Sequence, residues 1–359
     1  MKSPDDPVDF LRGPPMRNRY MLSPLTNCQS HPDGTLSDEE YHWLTMRAAG
    51  GFGLTMTCAS HVQPRGRGFP GQLGCWSDAH LPGLARLARG VHGHGSLAMV
   101  QIHHAGIRAP REHIDGPPVG PSDHPETGAR ALTTAEVGEV IEDFVRAAVR
   151  ADRSGFDGVE IHGAHGYLIA QFLSPEFNRR DDAYGGDAAG RARLLFEIIA
   201  GIRARCRSDF TLGVRLSPER FGLVLPEIVE LTRRLMSEGQ VDFIDLSLWD
   251  VTKEPNDAAW QGRTLLSWFT ELDRGRVRLG AAGRIYSTRE ATDALAAGLD
   301  FVVIGRGAVL HHDFARRALA DPGFRMAEVP VTPAYLAAEG LSPAFVTYMR
   351  NWKGFVTET

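Results

Sequence analysis

Five absences narrow the reading of this 359-residue chain before any motif is considered. No apolar run approaches the roughly 18 residues a bilayer-crossing helix needs, and the start "MKSPDDPVDF" is acidic and Pro-rich, with no signal-peptide apolar region. Both absences point away from the membrane and towards the cytoplasm. Basic clusters are missing too: 39 Lys and Arg stand scattered among 44 Asp and Glu, for a net charge of −5, so no nucleic-acid footprint appears. Cysteine is sparse and dispersed. Cys28, Cys58, Cys75 and Cys206 form no C-x-x-C pair, which speaks against a zinc site, an iron–sulfur cluster or a dithiol redox centre. They read as reduced, partly buried small apolar groups, with Cys28 singled out by its place just after the first β-prone run. Finally, that run, "RYMLSPLTN", is followed by no Gly-rich fingerprint, which argues against a doubly wound dinucleotide-binding sheet.

What the chain does have is rhythm. Short β-prone runs at 19–23, 54–59, 97–102, 157–162, 211–216, 242–247, 278–282 and 301–305 alternate with helical patterns at 37–51, 81–95, 134–155, 190–206, 225–239 and 287–298. Ser37 and Thr134 read as N-caps, and Gly155, Gly239 and Gly298 as C-terminal stops. The strands are continuous apolar runs, as parallel strands covered on both faces should be. Eight such units in this length predict an α/β chain folded as a (β/α)8 TIM barrel. We read one domain over 1–359, with the barrel core at about 17–320 and a C-terminal extension at about 321–359 containing "YMRNWKGF". The Pro-, Gly- and His-rich segment 103–133 reads as a loop after the third strand.

In such a barrel the active site lies where the strands end. The stretch "VEIHGAHGYL" (159–168) is one of these ends, and its glycines at 163 and 166 let the chain turn out of the strand. His162, His165 and Tyr167 are thereby placed at the mouth. H-x-x-H on a glycine-containing turn, with no further ligand pair in view, is a poor metal site, so no metal is expected. Backbone-satisfied structural histidines are the bland alternative; the functional one makes them paired donors to a carbonyl or anionic oxygen, with Tyr167 as a nearby proton donor. Strands seven and eight end in "LGAAGRI" and "FVVIGRG". Gly283-Arg284 and Gly305-Arg306 thus fall on neighbouring loops where barrels commonly bind phosphate, although turn glycines with solvent-facing arginines would look the same. Arg215 is a charge inside the apolar run "LGVRLS", and Gln101 ends strand three in a similar way; burying either needs polar partners. FMN, with a phosphate, polar ring edges and an anionic reduced form, would satisfy all of these.

Several strings together carry a specific resemblance: "NRYMLSPLT" (18–26), "RAAGGFGL" (47–54), "VQIHHAG" (100–106), "SGFDGVEIHGAHGYLIAQFLSPEFNRRDDAYGG" (154–186) and "FVVIGRG" (301–307). Over about residues 8–320 the chain resembles the Old Yellow Enzyme family of FMN-dependent ene-reductases. The resemblance implies that Pro24, Thr26 and Ala59 contact the flavin ring, that Gln101 and Arg215 bond its pyrimidine edge, and that Ala282, Gly283, Arg284, Gly305 and Arg306 bind its phosphate. It makes His162 and His165 the pair that holds the oxygen of the substrate's electron-withdrawing group, and Tyr167 the proton donor. The implied reaction passes hydride from NADPH or NADH, a transient reductant, through FMN to the β-carbon of an activated alkene, while Tyr167 protonates the α-carbon. A homo-oligomer is implied as well.

The chain departs from the family at Asn27, Cys28 and Ile107, in "GGDAAGRAR" (185–193), and at Arg284, where a backbone N–H contact tolerates a side chain if φ is negative. These departures bear on pocket shape more than on FMN. A tailoring enzyme that oxidises or isomerises a ring is the alternative on the same scaffold; Trp249 and Trp260 could build its pocket, although core or surface packing is the more common role for either. A flavin-free phosphate-binding lyase or isomerase would need a Schiff-base Lys at a strand end, and Lys253 lies in a loop. A flavin binder without catalysis would not need His162, His165 and Tyr167.

Overall fold

In the computed structural model, which describes residues 2–357, eight parallel strands close into a barrel in chain order. They are β1 (Tyr20–Leu22), β2 (Leu54–His61), β3 (Leu97–His103), β4 (Gly158–Gly163), β5 (Thr211–Leu216), β6 (Phe243–Ser247), β7 (Arg278–Ala282) and β8 (Phe301–Ile304), with β8 pairing back to β1. This is the (β/α)8 barrel that the alternation predicts. The outer layer holds α1 (Asp38–Ala49), α2 (Leu81–His92), α3 (Thr134–Arg153), α4 (Leu168–Leu173), α5 (Ala188–Arg205), α6 (Leu225–Glu238), α7 (Ser267–Thr270), α8 (Thr288–Ala296), α9 (Arg306–Leu310) and α10 (Phe314–Ala320). Ser37 caps α1 as expected. For α3 the cap is Thr133, one residue earlier than the sequence reading, because only Thr133 puts Glu136 at the third helical position, where a reciprocal capping box closes.

The barrel interior is built in tiers, since every second residue of a strand points inward. The lowest tier is apolar: Met21, Leu54, Met56, Leu97, Met99, Phe243 and Phe301 are buried there. From below, the segment Val8–Met16 folds back on itself as an antiparallel bridge and inserts Phe10, whose ring lies 5.6 Å from that of Phe243. Phe243 in turn meets Phe301 edge-on at 5.7 Å. Two strand glycines make the space: a Cβ at Gly213 or at Gly280 would lie 2.1 Å from the ring of Phe243 or Phe301, respectively.

Two residues further along each strand, the inward positions are occupied by Gln101 and Glu160, which pair in register, and by Arg215 and Asp245, which pair likewise, with Arg215 in register with His162 on the neighbouring strand. Two further still come His103, His162 and Ser247. A register shift in β2 between Met56 and Ala59 adds one residue there, and the Thr57 hydroxyl takes up the Gln101 N–H at 3.2 Å, so the strand leaves its regular course beside the polar tier. The C-terminal extension forms α11 (Pro333–Ala338) and α12 (Pro343–Met349) and adds Leu336, Leu341, Phe345, Met349 and Phe355 to the main apolar core. No described helix is long and apolar enough to cross a membrane.

Candidate active site

The turn after β4 gathers the catalytic candidates. His165 and Gly166 are both left-handed, with φ of 59° and 67°, and this pair reverses the chain so that Tyr167 stands just ahead of α4. The turn is held from outside. The Ser217 hydroxyl accepts the His165 N–H at 3.0 Å, Arg108 donates to the His165 carbonyl, and Leu168 N–H donates to His104 at 3.0 Å. The result brings His162 Nε2 within 3.3 Å of His165 Nδ1 and sets the Tyr167 ring 5.4 Å from that of His162. His103 packs edge-on against Tyr167 at 4.5 Å, and the Arg108 guanidinium covers its ring at 4.8 Å. Ser247, to which the sequence reading gives no role, holds His165 Nε2 at 2.7 Å.

These imidazoles are neutral at ordinary pH. Burial, then neighbouring His165 and His103, hold His162 well below the usual imidazole range; burial, then Arg215 and Arg108, bring His165 down to about 3. They act as N–H donors or nitrogen acceptors, not as cations.

Beneath them lies the buried polar tier. Gln101 Nε2 donates to Glu160 Oε1 at 2.7 Å, and Arg215 Nη2 donates to the Ser23 hydroxyl at 3.3 Å. Arg215 Nε stands 3.1 Å from Asp245 Oδ2, close enough for an ion pair but too far off axis for a hydrogen bond. Two fully buried carboxyl groups therefore share one cation. Burial raises both pKa values above the usual carboxylate range, with Asp245 adding to the rise at Glu160 and Arg215 opposing both. Glu160 and Asp245 interrupt apolar runs in "GVEIH" and "DFIDLS". That is the signal that singles out Arg215, and it could have found them.

The remaining expected contacts ring the same mouth. Pro24 and Thr26 follow β1, and Ala59 follows the irregularity in β2. Tyr348 of α12 lies close enough to Thr26 for the two to interact electrostatically, which brings the C-terminal extension to the mouth of its own barrel. Ala282 ends β7, Gly283 and Arg284 follow it, and Gly305 and Arg306 open α9. The structure corrects one expectation here: Arg284 is left-handed, with φ of 52°, because the chain must turn sharply where the 248–251 loop bonds to Ala282 and Gly283. Nor are the two arginine side chains gathered with the backbone. Arg284 pairs with Asp250 at 3.4 Å, while Arg306 donates to the Tyr286 hydroxyl at 2.7 Å and lies 5.3 Å over the Trp352 ring. Cys28 is also left-handed, and burial followed by Glu40 pushes its thiol up to about 11, which disfavours thiolate chemistry.

A flavin fits these residues. His103 Nε2, His162 Nδ1, Arg215 Nε and Glu160 Oε2 are buried without hydrogen-bond partners, and they lie in the two upper tiers on one side of the barrel. Gly305 faces open space, since a Cβ there would find nothing nearer than Leu25 at 3.8 Å and Ser23 at 4.0 Å. An upper barrel with orphaned donors and acceptors at one side and glycine-containing loops at the other suits a polar ring with a phosphate tail. Fold and site together define a flavin-binding barrel oxidoreductase.

Comparison with known proteins agrees. Residues 6–321 match the NADH:flavin oxidoreductase / NADH oxidase family. The chain is 36% identical over 312 residues to a probable NADH-dependent flavin oxidoreductase of Bacillus subtilis, covering 84% of this chain and 83% of that one. It is 40% identical over 253 residues to an NADPH dehydrogenase of Halalkalibacterium halodurans, covering 68% and 73%. The Old Yellow Enzyme homologue from Zymomonas mobilis superimposes with a TM-score of 0.81 at 26% identity, covering 97% of this chain and 99% of that one. The chain belongs to the NADH:flavin oxidoreductase family, and is an FMN-dependent NAD(P)H oxidoreductase.

Proposed function

We propose that this enzyme reduces the C=C bond of α,β-unsaturated carbonyl compounds and similarly activated alkenes. The observation that carries this reading is the pair of neutral imidazole nitrogens, His162 Nε2 and His165 Nδ1, 3.3 Å apart beside a tyrosine. FMN held here would supply the redox chemistry, hydride taken from NAD(P)H and made available to the alkene. Gln101, Arg215 and Ser23 are the side chains that would hold the ring and ribityl side, and residues 282–284 and 305–306 the phosphate.

The protein's own residues do the rest. If the Ser247 hydroxyl donates to His165 Nε2, the proton of that ring resides on Nδ1, and it points at His162. A carbonyl oxygen that takes the place of this contact then accepts from His165 Nδ1–H, and from His162 in the tautomer that carries its proton on Nε2. Those bonds shorten as negative charge builds on the oxygen, so they favour the enolate-like transition state over the ground state. Neutral donors serve better than cations here, because they leave the oxygen unprotonated while carbon is attacked. Tyr167, wedged between His103 and the Arg108 guanidinium, gives its phenolic proton to the α-carbon.

The test is an anaerobic titration of the yellow protein. NADPH should bleach it, and cyclohexenone should restore the colour with formation of cyclohexanone. Protein that bleaches but regains colour only with oxygen would overturn the ene-reductase reading while leaving the flavoprotein intact.

A further inference from the structure

One side of the mouth is strained where the mechanism does not use it. After β5, Arg220, Phe221 and Gly222 are three consecutive left-handed residues, with φ of 68°, 55° and 66°; after β6, Trp249 is left-handed too, at 65°. Bulky L-residues avoid this region, and such conformations persist only where the surroundings or a function hold them. Burial does not explain Trp249. It is 53% exposed, more than any other large hydrophobic side chain among the described residues. Among the described residues, its one ring contact is the Arg220 guanidinium, 4.8 Å from the ring centre.

The place of this pair is specific. Phe221, next to Arg220, lies against Gly166 of the catalytic turn: a Cβ on Gly166 would meet the Phe221 ring at 2.8 Å. The residues flanking Trp249 bond to the strand-seven end, Leu248 N–H to Ala282 at 2.9 Å and Val251 N–H to Gly283 at 3.2 Å. Lys253 and Glu219 tie the two loops together as an ion pair. Trp249, Arg220 and Phe221 therefore form a continuous ledge from the phosphate-side loops to the turn carrying His165 and Tyr167. An indole backed by a guanidinium, with much of its surface open, is suited to stacking on a flat ring.

We infer that Trp249, on the ledge with Arg220 and Phe221, is a specificity subsite for an aromatic ring carried by the activated alkene. This rests on the ene-reductase reading and adds the substrate class: aryl-substituted enones and enals over small cyclic ones. The left-handed Trp249 is retained for binding, at the expense of a backbone that glycine would fit better.

The experiment compares the wild type with Trp249→Gly and Trp249→Phe as FMN-loaded proteins. In the glycine variant, kcat/KM for 4-phenyl-3-buten-2-one relative to cyclohexenone should fall about tenfold, the worth of one aromatic stack. It should also unfold at the same or a higher temperature. The phenylalanine variant should keep most of the aryl preference. An unchanged ratio in the glycine variant, with a lower melting temperature, would assign Trp249 to packing and overturn the inference. Quenching of tryptophan fluorescence by the aryl enone, without NAD(P)H, separates the two readings. Quenching lost in the glycine variant supports the ledge even if no alkene is reduced; quenching retained there overturns it even if alkenes are.

Discussion

The two ends of this barrel are made from the same eight strands and solve opposite problems. At the lower end, inward residues are methionines, leucines and phenylalanines, closed off by Phe10 from the Val8–Met16 bridge. At the upper end, four inward positions become Gln101, Glu160, Arg215 and Asp245, and buried nitrogens and oxygens lack partners. The backbone follows the same division. All six left-handed non-glycine residues among those described, Cys28, His165, Arg220, Phe221, Trp249 and Arg284, lie on loops that follow strands. The difference teaches where stability and chemistry are kept: the floor holds the barrel together, and the mouth tolerates strain and unsatisfied polarity because ligands are received there.

If that division is right, substitutions at the two ends should separate cleanly. The largest effect is expected from Tyr167→Phe, which should slow recolouring by cyclohexenone by about 10² to 10⁴ and leave bleaching by NADPH near wild type, as read by stopped-flow absorbance. Equal slowing of both steps would contradict its assignment as the proton donor. At the floor, Phe243→Ala should cost about 3–5 kcal/mol in denaturant unfolding. The ratio of the two half-reaction rates should hold, and a changed ratio would show that the floor is not insulated from the mouth.

A smaller effect, about tenfold in kcat/KM for cyclohexenone, is expected of Ser247→Ala, since one hydrogen bond that fixes His165 is lost. Trp249→Gly belongs to the same size class, for aryl substrates. The smallest is a pH effect. Because Glu160 keeps its proton in the folded protein above the pH at which it would ionise in the unfolded chain, its contribution to stability is full below the ordinary carboxyl range and is lost as pH rises. Glu160→Gln removes that loss. Its melting temperature relative to wild type should climb between pH 5 and pH 8, with a slope of at most about 1.4 kcal/mol per pH unit; a flat difference would mean that Glu160 is ionised throughout.

The ends also differ in how far the sequence reveals them. At the mouth, glycines beside histidines, and a charge inside an apolar run, each break a local rule, and broken rules point to sites. Arg215 and the 162–167 turn were legible for this reason, and Glu160 and Asp245 break the same rule. Ser247 breaks none: a serine ending a strand resembles an ordinary terminator, and only the fold sets it against His165. The floor is illegible for another cause. Phe10 and Met16 sit in a Pro-rich opening segment with no period, and their burial depends on where the barrel happens to end. In the C-terminal extension Pro333 and Pro343 start helices capped by Thr332 and Ser342, elements too short for a helical period to show in the sequence.

Gly213 and Gly280 set the depth of the reaction chamber from underneath. Each leaves room for one phenyl ring inside the barrel, the two rings meet edge to face, and an added carbon at either glycine would collide with its ring. Residues that touch neither flavin nor alkene thus seal the base of the barrel, and the mouth is free to vary above a floor that cannot.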